Sequence, residues 1–252
     1  MHGPFYLLPY TVLSSIGMIV VVLVGLHRAL TNANGTARLR GTVVGVSALV
    51  LIGWFVATAA LAWLGVYRGV ADRMPTIQYA ILAPVLIGGL LIWYSPVVSG
   101  IIDAVPQQWL VGVQLYRALG VVFVFLFAAG SLPGLFALPA GLGDFTVGLM
   151  APIVAWTYAR NPAVRGNSVR AWNILGLADL AVAIATGFMT APSPLQLFAF
   201  DRPNELISAF PLVLIPVFLV PLSILFHLAS LTKLRRAAVQ AVASGGSAAA
   251  SA

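Results

Sequence analysis

Asp144 and Asp179 sit in matching strings, GLGDFTV at 141–147 and GLADLAV at 176–182, among side chains that suit hydrocarbon. A carboxylate is costly in such surroundings, and an ionisable group inside a membrane span marks a functional site by default. A third charge, Arg117, lies in another apolar stretch, and Gln114, three residues before it, shares its helix face. The chemistry open to this set is the binding of a cation, a proton or a polar ligand. If all three charges are ionised they sum to −1, so a shared proton is one way to balance them. Burial raises a carboxyl pKa and a neighbouring Arg lowers it, and the sequence leaves that balance open.

The elements that must position these residues follow from composition. Of 252 residues, 61% are hydrophobic and 8% charged, and the mean hydropathy is +1.02. Such a chain cannot hide its apolar surface from water, so the fold class is all-α integral membrane. Seven apolar segments, at about 5–27, 42–67, 77–101, 109–131, 136–158, 171–190 and 208–232, are each long enough for a spanning helix of roughly 20 residues. Runs this continuous are not barrel strands. The domain reading is one seven-helix unit over 1–236 and a disordered low-complexity tail over 237–252. With no basic stretch before it, 5–27 reads as a retained first span. The mixed segment 191–206 suits a lid on the membrane surface.

A net charge of +7 does not imply nucleic acid, because the basic residues sit in short loops between apolar runs. One side collects Arg28, Arg38, Arg40, Arg160, Arg165, Arg170, Lys233, Arg235 and Arg236; the other has Arg68, Arg73 and Arg202. The positive-inside rule then places the N-terminus outside and the C-terminus in the cytoplasm, which agrees with an odd number of spans. Trp63, Tyr67 and Tyr79 fall at the outer boundary, and Trp109, Trp156 and Trp172 at the inner one. Arg outnumbers Lys twelve to one, which suits a GC-rich bacterial genome and hence a bacterial cytoplasmic (inner) membrane. The partners expected are membrane lipid and other membrane subunits.

At 1.5 Å per residue, Arg117, Asp144 and Asp179 each lie about 12 Å from one face of a core about 30 Å thick. The expectation is an Arg117–Asp179 ion pair with Asp144 close by and Gln114 joining the network. Steps of three and four from Asp144 reach Gly141, Gly148, Ala151 and Ala155; from Asp179 they reach Gly176, Ala183 and Gly187. Small-residue stripes let membrane helices approach closely, so the carboxylates could equally serve to join spans five and six.

The string GLGD at 141–144 resembles the GxGD motif of intramembrane aspartyl proteases, in which two aspartates on neighbouring helices activate a water. The resemblance covers four residues. The candidate partner Asp179 follows the motif, where the presenilin-like branch has it earlier in a Tyr-Asp context, and Ala178 precedes it here. No Pro-Ala-Leu element appears in a later span. An aspartyl dyad must share a proton, which a nearby Arg opposes.

His27 and His227 fall near the inner ends of the first and last spans, and two imidazoles meeting there could hold a haem. His2, at the terminus, could bind a metal adventitiously. Pro211, Pro216 and Pro221 are spaced by five in the last span, and Pro84 and Pro96 interrupt the third. Each removes a backbone donor, and the resulting kinks could gate a cavity. The only Lys, Lys233, is terminal, so retinal attachment fails; P-loop, HExxH and GxSxG strings are absent. With no Cys there is no disulfide or thiolate chemistry. The leading expectation is a non-enzymatic bundle that binds or moves a small solute, lipid-like ligand or proton through Arg117, Asp144, Asp179 and Gln114. The alternatives are an anchor or subunit of a redox or multi-component membrane complex, with a cofactor such as haem, and the GxGD-type protease.

Overall fold

The computed structural model describes residues 4–250, with side chains through residue 240, so His2 and residues 251–252 lie outside the description. The chain is 79% helix with no strand among the described residues, and seven helices are long and apolar enough to cross a membrane. They begin with α1 (Leu7–Asn32), α2 (Ala37–Trp63) and α3 (Ile77–Tyr94), then a short α4 (Pro96–Ala104). The fourth candidate span, Gln107–Ala128, joins α5 (Gln107–Gly112), a 3-10 stretch (Val113–Val121) and α6 (Val122–Ala128). Then come α7 (Gly134–Arg160) and α8 (Pro162–Thr190), and the last span joins a π turn (Ile215–Leu219) to α9 (Val220–Ala250).

Local chemistry explains where these helices start and stop. Thr36 caps α2 by accepting from the Leu39 N–H at 3.2 Å. Gly65 and Gly130 take positive φ just past α2 and α6, where a helix commonly unwinds into a left-handed residue. Pro96 divides the expected third span: Ser95 turns extended, caps α4, and leaves Pro96 at the first helical position. Asn161 and Pro162 repeat that device for α8, so α8 starts nine residues before the apolar run at 171 and carries Arg165 and Arg170 on its first turns. At the other end, α9 continues through Ala250, into the Ala-rich stretch from 237 whose composition suggested disorder.

The bundle is unevenly buried, and this decides where a site can be. The last span is the most enclosed, at 61% of its apolar window, and α2 the least, at 11%. Phe218 of the π turn is wholly buried and meets Trp54 and Phe55 edge-on, with centroids 4.8 and 5.4 Å apart. The last span packs against α3, α5 and α8, while span four packs along α7. Segment 191–206 folds back onto the end of α8: Leu197 and Phe198 N–H groups reach the Met189 carbonyl, and Asn204 bonds both the carbonyl and the hydroxyl of Thr190.

Candidate functional site, a buried guanidinium between two carboxylates

Glycine lets α7 and span four approach almost backbone to backbone. A Cβ on Gly148 would overlap the main chain at Ala118 and Arg117, and one on Gly141 would press on Val124. A Cβ on Gly120, from the opposite side, would strike the Asp144 side chain. The stripe through Asp144 therefore packs on span four, and Gly112 meets Ala155 further along it. The expectation that this stripe faces span six is corrected. Arg117 lies on span four, and Asp144 must face it. The contact with span six runs instead through Gly143, one residue and about 100° around the helix, where a Cβ would overlap the Asp179 carboxylate.

Span four is wound as a 3-10 helix for nine residues around Arg117. Such runs seldom exceed three or four residues and often mark a hinge. Arg117 is buried, and its guanidinium binds both carboxylates: Nε donates to Asp144 Oδ1 at 2.8 Å and Nη2 donates to Asp179 Oδ2. The expected Arg117–Asp179 pair is present, and Asp144 is a second full partner. The third nitrogen, Nη1, bonds the Gly176 carbonyl at 3.3 Å and His227 Nε2 at 2.9 Å. All three guanidinium nitrogens are engaged.

The partners fix the state of His227. Arg117 can only donate, so Nε2 accepts. Asn173 commits its amide hydrogens to the Val169 carbonyl and Ser230 Oγ, both at 2.8 Å, and turns Oδ1 to His227 Nδ1 at 2.8 Å. The imidazole is therefore neutral with its proton on Nδ1. Gln107 Nε2 donates to the same Ser230 hydroxyl at 2.6 Å. A continuous chain of polar contacts thus runs Gln107–Ser230–Asn173–His227–Arg117 and ends on the two aspartates.

Gln114 takes a different place from the one expected. It is fully buried and donates to the Ser223 carbonyl at 3.0 Å, with no direct bond to Arg117. Tyr116 donates to the Leu219 carbonyl at 2.9 Å and pairs with the Ser223 hydroxyl. Gln114 and Tyr116 thus bind span four to the last span, one turn from the charges.

Two narrow cavities meet at Asp144. One, of about 60 Å³, is lined chiefly by apolar side chains and runs from Tyr67, Gly69 and Pro192 to Asp144. Burial pushes the Tyr67 hydroxyl above the usual tyrosine range, so it stays protonated. The other, of about 30 Å³, lies between Tyr10, Ser14, Tyr116 and Asp144. Asp144, Ile215 and Val220 line both and form the wall between them. Ile215 belongs to the π turn, where the Val220 N–H reaches back five residues to the Ile215 carbonyl. Pro216 contributes to this irregularity: it has no N–H for the Leu212 carbonyl, which the Ile215 N–H takes instead at 3.0 Å.

Two further expectations meet the geometry here. His27 is exposed on α1, whereas His227 is fully buried with both ring nitrogens engaged by Arg117 and Asn173. An iron would have to displace one of those partners, so the two histidines do not form an axial pair. The aspartates of the GLGD comparison are each bound to the Arg117 guanidinium and share no hydrogen bond with each other, whereas an aspartyl dyad holds a proton between its carboxyls. Among the described residues, no three His, Cys, Asp or Glu side chains gather as metal ligands.

Asn173, Ser230, Gln107, Tyr116 and Ser223 escape the sequence reading, and His227 enters it in another role. Their spacing carried a signal: Ser223, His227 and Ser230 step by four and three, and Gln107, Gln114 and Arg117 by seven and three. Both series follow one helix face through apolar sequence.

No curated protein and no solved structure matches the chain. Residues 74–235, which hold all the members of the polar chain from Gln107 to Asp179, match the family described as Domain of unknown function (DUF8737), and the chain belongs to that family.

Proposed function

We propose that this is an integral membrane protein that binds and passes a proton, or a small solute carrying one positive charge, at Asp144 and Asp179. The observation that carries the reading is Asp144, a carboxylate held by Arg117 yet lining both cavities. The ionised centre carries one positive and two negative charges, and His227 adds none. A buried excess of −1 is costly, and a proton or monovalent cation offsets it. Cavity size favours small cargo: a water needs about 10–15 Å³ of such volume, so a few waters fit and a lipid-like body does not. Arg117 would be the fixed counter-charge, and the aspartates the groups that load and unload. The loop charges support an N-terminus outside and a C-terminus inside a bacterial cytoplasmic membrane.

Proteoliposomes with an entrapped pH dye test this. Under an imposed pH gradient, wild-type vesicles should equilibrate faster than protein-free vesicles. Asp144→Asn and Asp179→Asn should reduce the excess rate at least tenfold while the protein remains folded by circular dichroism. If wild-type and empty vesicles equilibrate alike, a monovalent-cation gradient read with a potential-sensitive dye decides the other arm. Silence in both, or unchanged rates in both Asn variants, leaves the cluster a packing device.

A further inference from the structure

A groove of about 480 Å³ lies far from the aspartates, between the last turns of α1 and the start of span four. Its floor is apolar and open: Val20, Val21 and Val24 are 45–52% exposed. Its end is polar, with Arg28 and Asn32 exposed, and the Trp109 indole lines the groove against Gly25. From Val20 to Arg28 the helix rises about 12 Å, near half the thickness of one leaflet's hydrocarbon and headgroup region. The lining contains no carboxylate. Among the described residues Arg28 has no ion pair or hydrogen bond, and the Trp109 Nε1–H has no acceptor, whereas Lys233 bonds the carbonyls of Ile102 and Asp103 and Arg236 bonds the Ile92 carbonyl and the Asp103 carboxylate.

Trp109 is held in that position by the backbone. Gly25 leaves room for the ring, and a Cβ there would overlap the indole at its Nε1 edge. The cation, the amide and the indole therefore line the same groove as the three valines. Basic pockets between membrane helices on the cytoplasmic side hold lipid headgroups in this manner, and Trp is at home at the interface.

We propose that this groove is a binding site for one anionic phospholipid, with an acyl chain along Val20, Val21 and Val24 and the phosphate on Arg28, Asn32 and Trp109. The apolar floor is what selects a lipid over a soluble phosphate. The site is independent of the aspartate centre.

Native mass spectrometry of the full chain, released from vesicles of equal phosphatidylglycerol and phosphatidylcholine, reads it directly. Wild type should retain one phosphatidylglycerol per chain, at least fivefold over phosphatidylcholine. Arg28→Gln should abolish that preference, Trp109→Phe should weaken it, and Arg38→Gln, outside the groove, should leave it unchanged. Asn32→Asp, a near-isosteric change at an exposed position, should also expel the lipid, and it serves if Arg28→Gln does not fold. Equal retention of the two lipids by wild type overturns the proposal, as does full retention by Arg28→Gln or Asn32→Asp. Displacement of the lipid by inorganic phosphate would identify a soluble-anion site and overturn it too.

Discussion

Arg117 is the residue on which the buried centre depends. Its removal would strand two carboxylates in apolar surroundings, and breaking a buried pair from one side costs about 3–5 kcal/mol. Arg117→Gln should therefore lose about that much in unfolding in detergent, whereas Asp144→Asn, which leaves Arg117 paired with Asp179, should lose about 1–3 kcal/mol. Reversible unfolding followed by circular dichroism compares them, and equal losses would contradict this ranking. The three charges were legible in the sequence because nothing else in those spans is ionised. His227 and Asn173 were not, because a neutral polar side chain in a membrane helix is cheap enough to have many bland explanations. Only the placement of Arg117 Nη1 and Ser230 gives each of them a specific partner.

At the scale of elements, the two irregular windings have different origins. The 3-10 stretch Val113–Val121 contains no proline and lies where Gly141 and Gly148 let α7 come against its backbone. Periodicity read from span four alone therefore shows an ordinary helix. The π turn, by contrast, was foreshadowed by Pro211, Pro216 and Pro221, though their spacing did not tell a kink from a change of winding. Pro216→Ala restores a donor for the Leu212 carbonyl and favours ordinary α winding. It should stabilise the protein by about 1 kcal/mol, a fraction of the roughly 3 kcal/mol that proline costs inside a helix, and should slow equilibration of the proteoliposomes by moving Ile215 and Val220. A variant both no more stable and no slower would make the turn a passive bend. The split of the third span at Ser95 was legible as Pro96 but not as a separate short helix, since its cap depends on Ser95 turning extended.

Over the whole molecule, class and span number followed from composition, because a length of apolar sequence has few alternatives in lipid. The arrangement of spans did not, because helix neighbours depend on which narrow face of each stripe is used; Asp144 pairs α7 with span four, and Gly143 pairs it with α8. The orientation inferred from loop charge has a simple check, since the chain has no cysteine of its own. Ala33→Cys and Asp72→Cys lie at exposed positions between α1 and α2 and between α2 and α3. In intact cells a membrane-impermeant maleimide should label the second and spare the first, and the reverse pattern would invert the topology.

The chain of side chains from Gln107 to Asp144 also has a thermodynamic consequence. Each member is hydrogen-bonded to the next, so the energy of removing one depends on whether the others remain. Asp144→Asn and Ser230→Ala, made singly and together, should deviate from additivity by about 0.5–3 kcal/mol, the range for residues in one polar network. Such a deviation would mean that loading Asp144 is reported at Ser230, the partner of Gln107 at the start of span four, making the polar chain a line of communication from the carboxylates toward that end of the bundle.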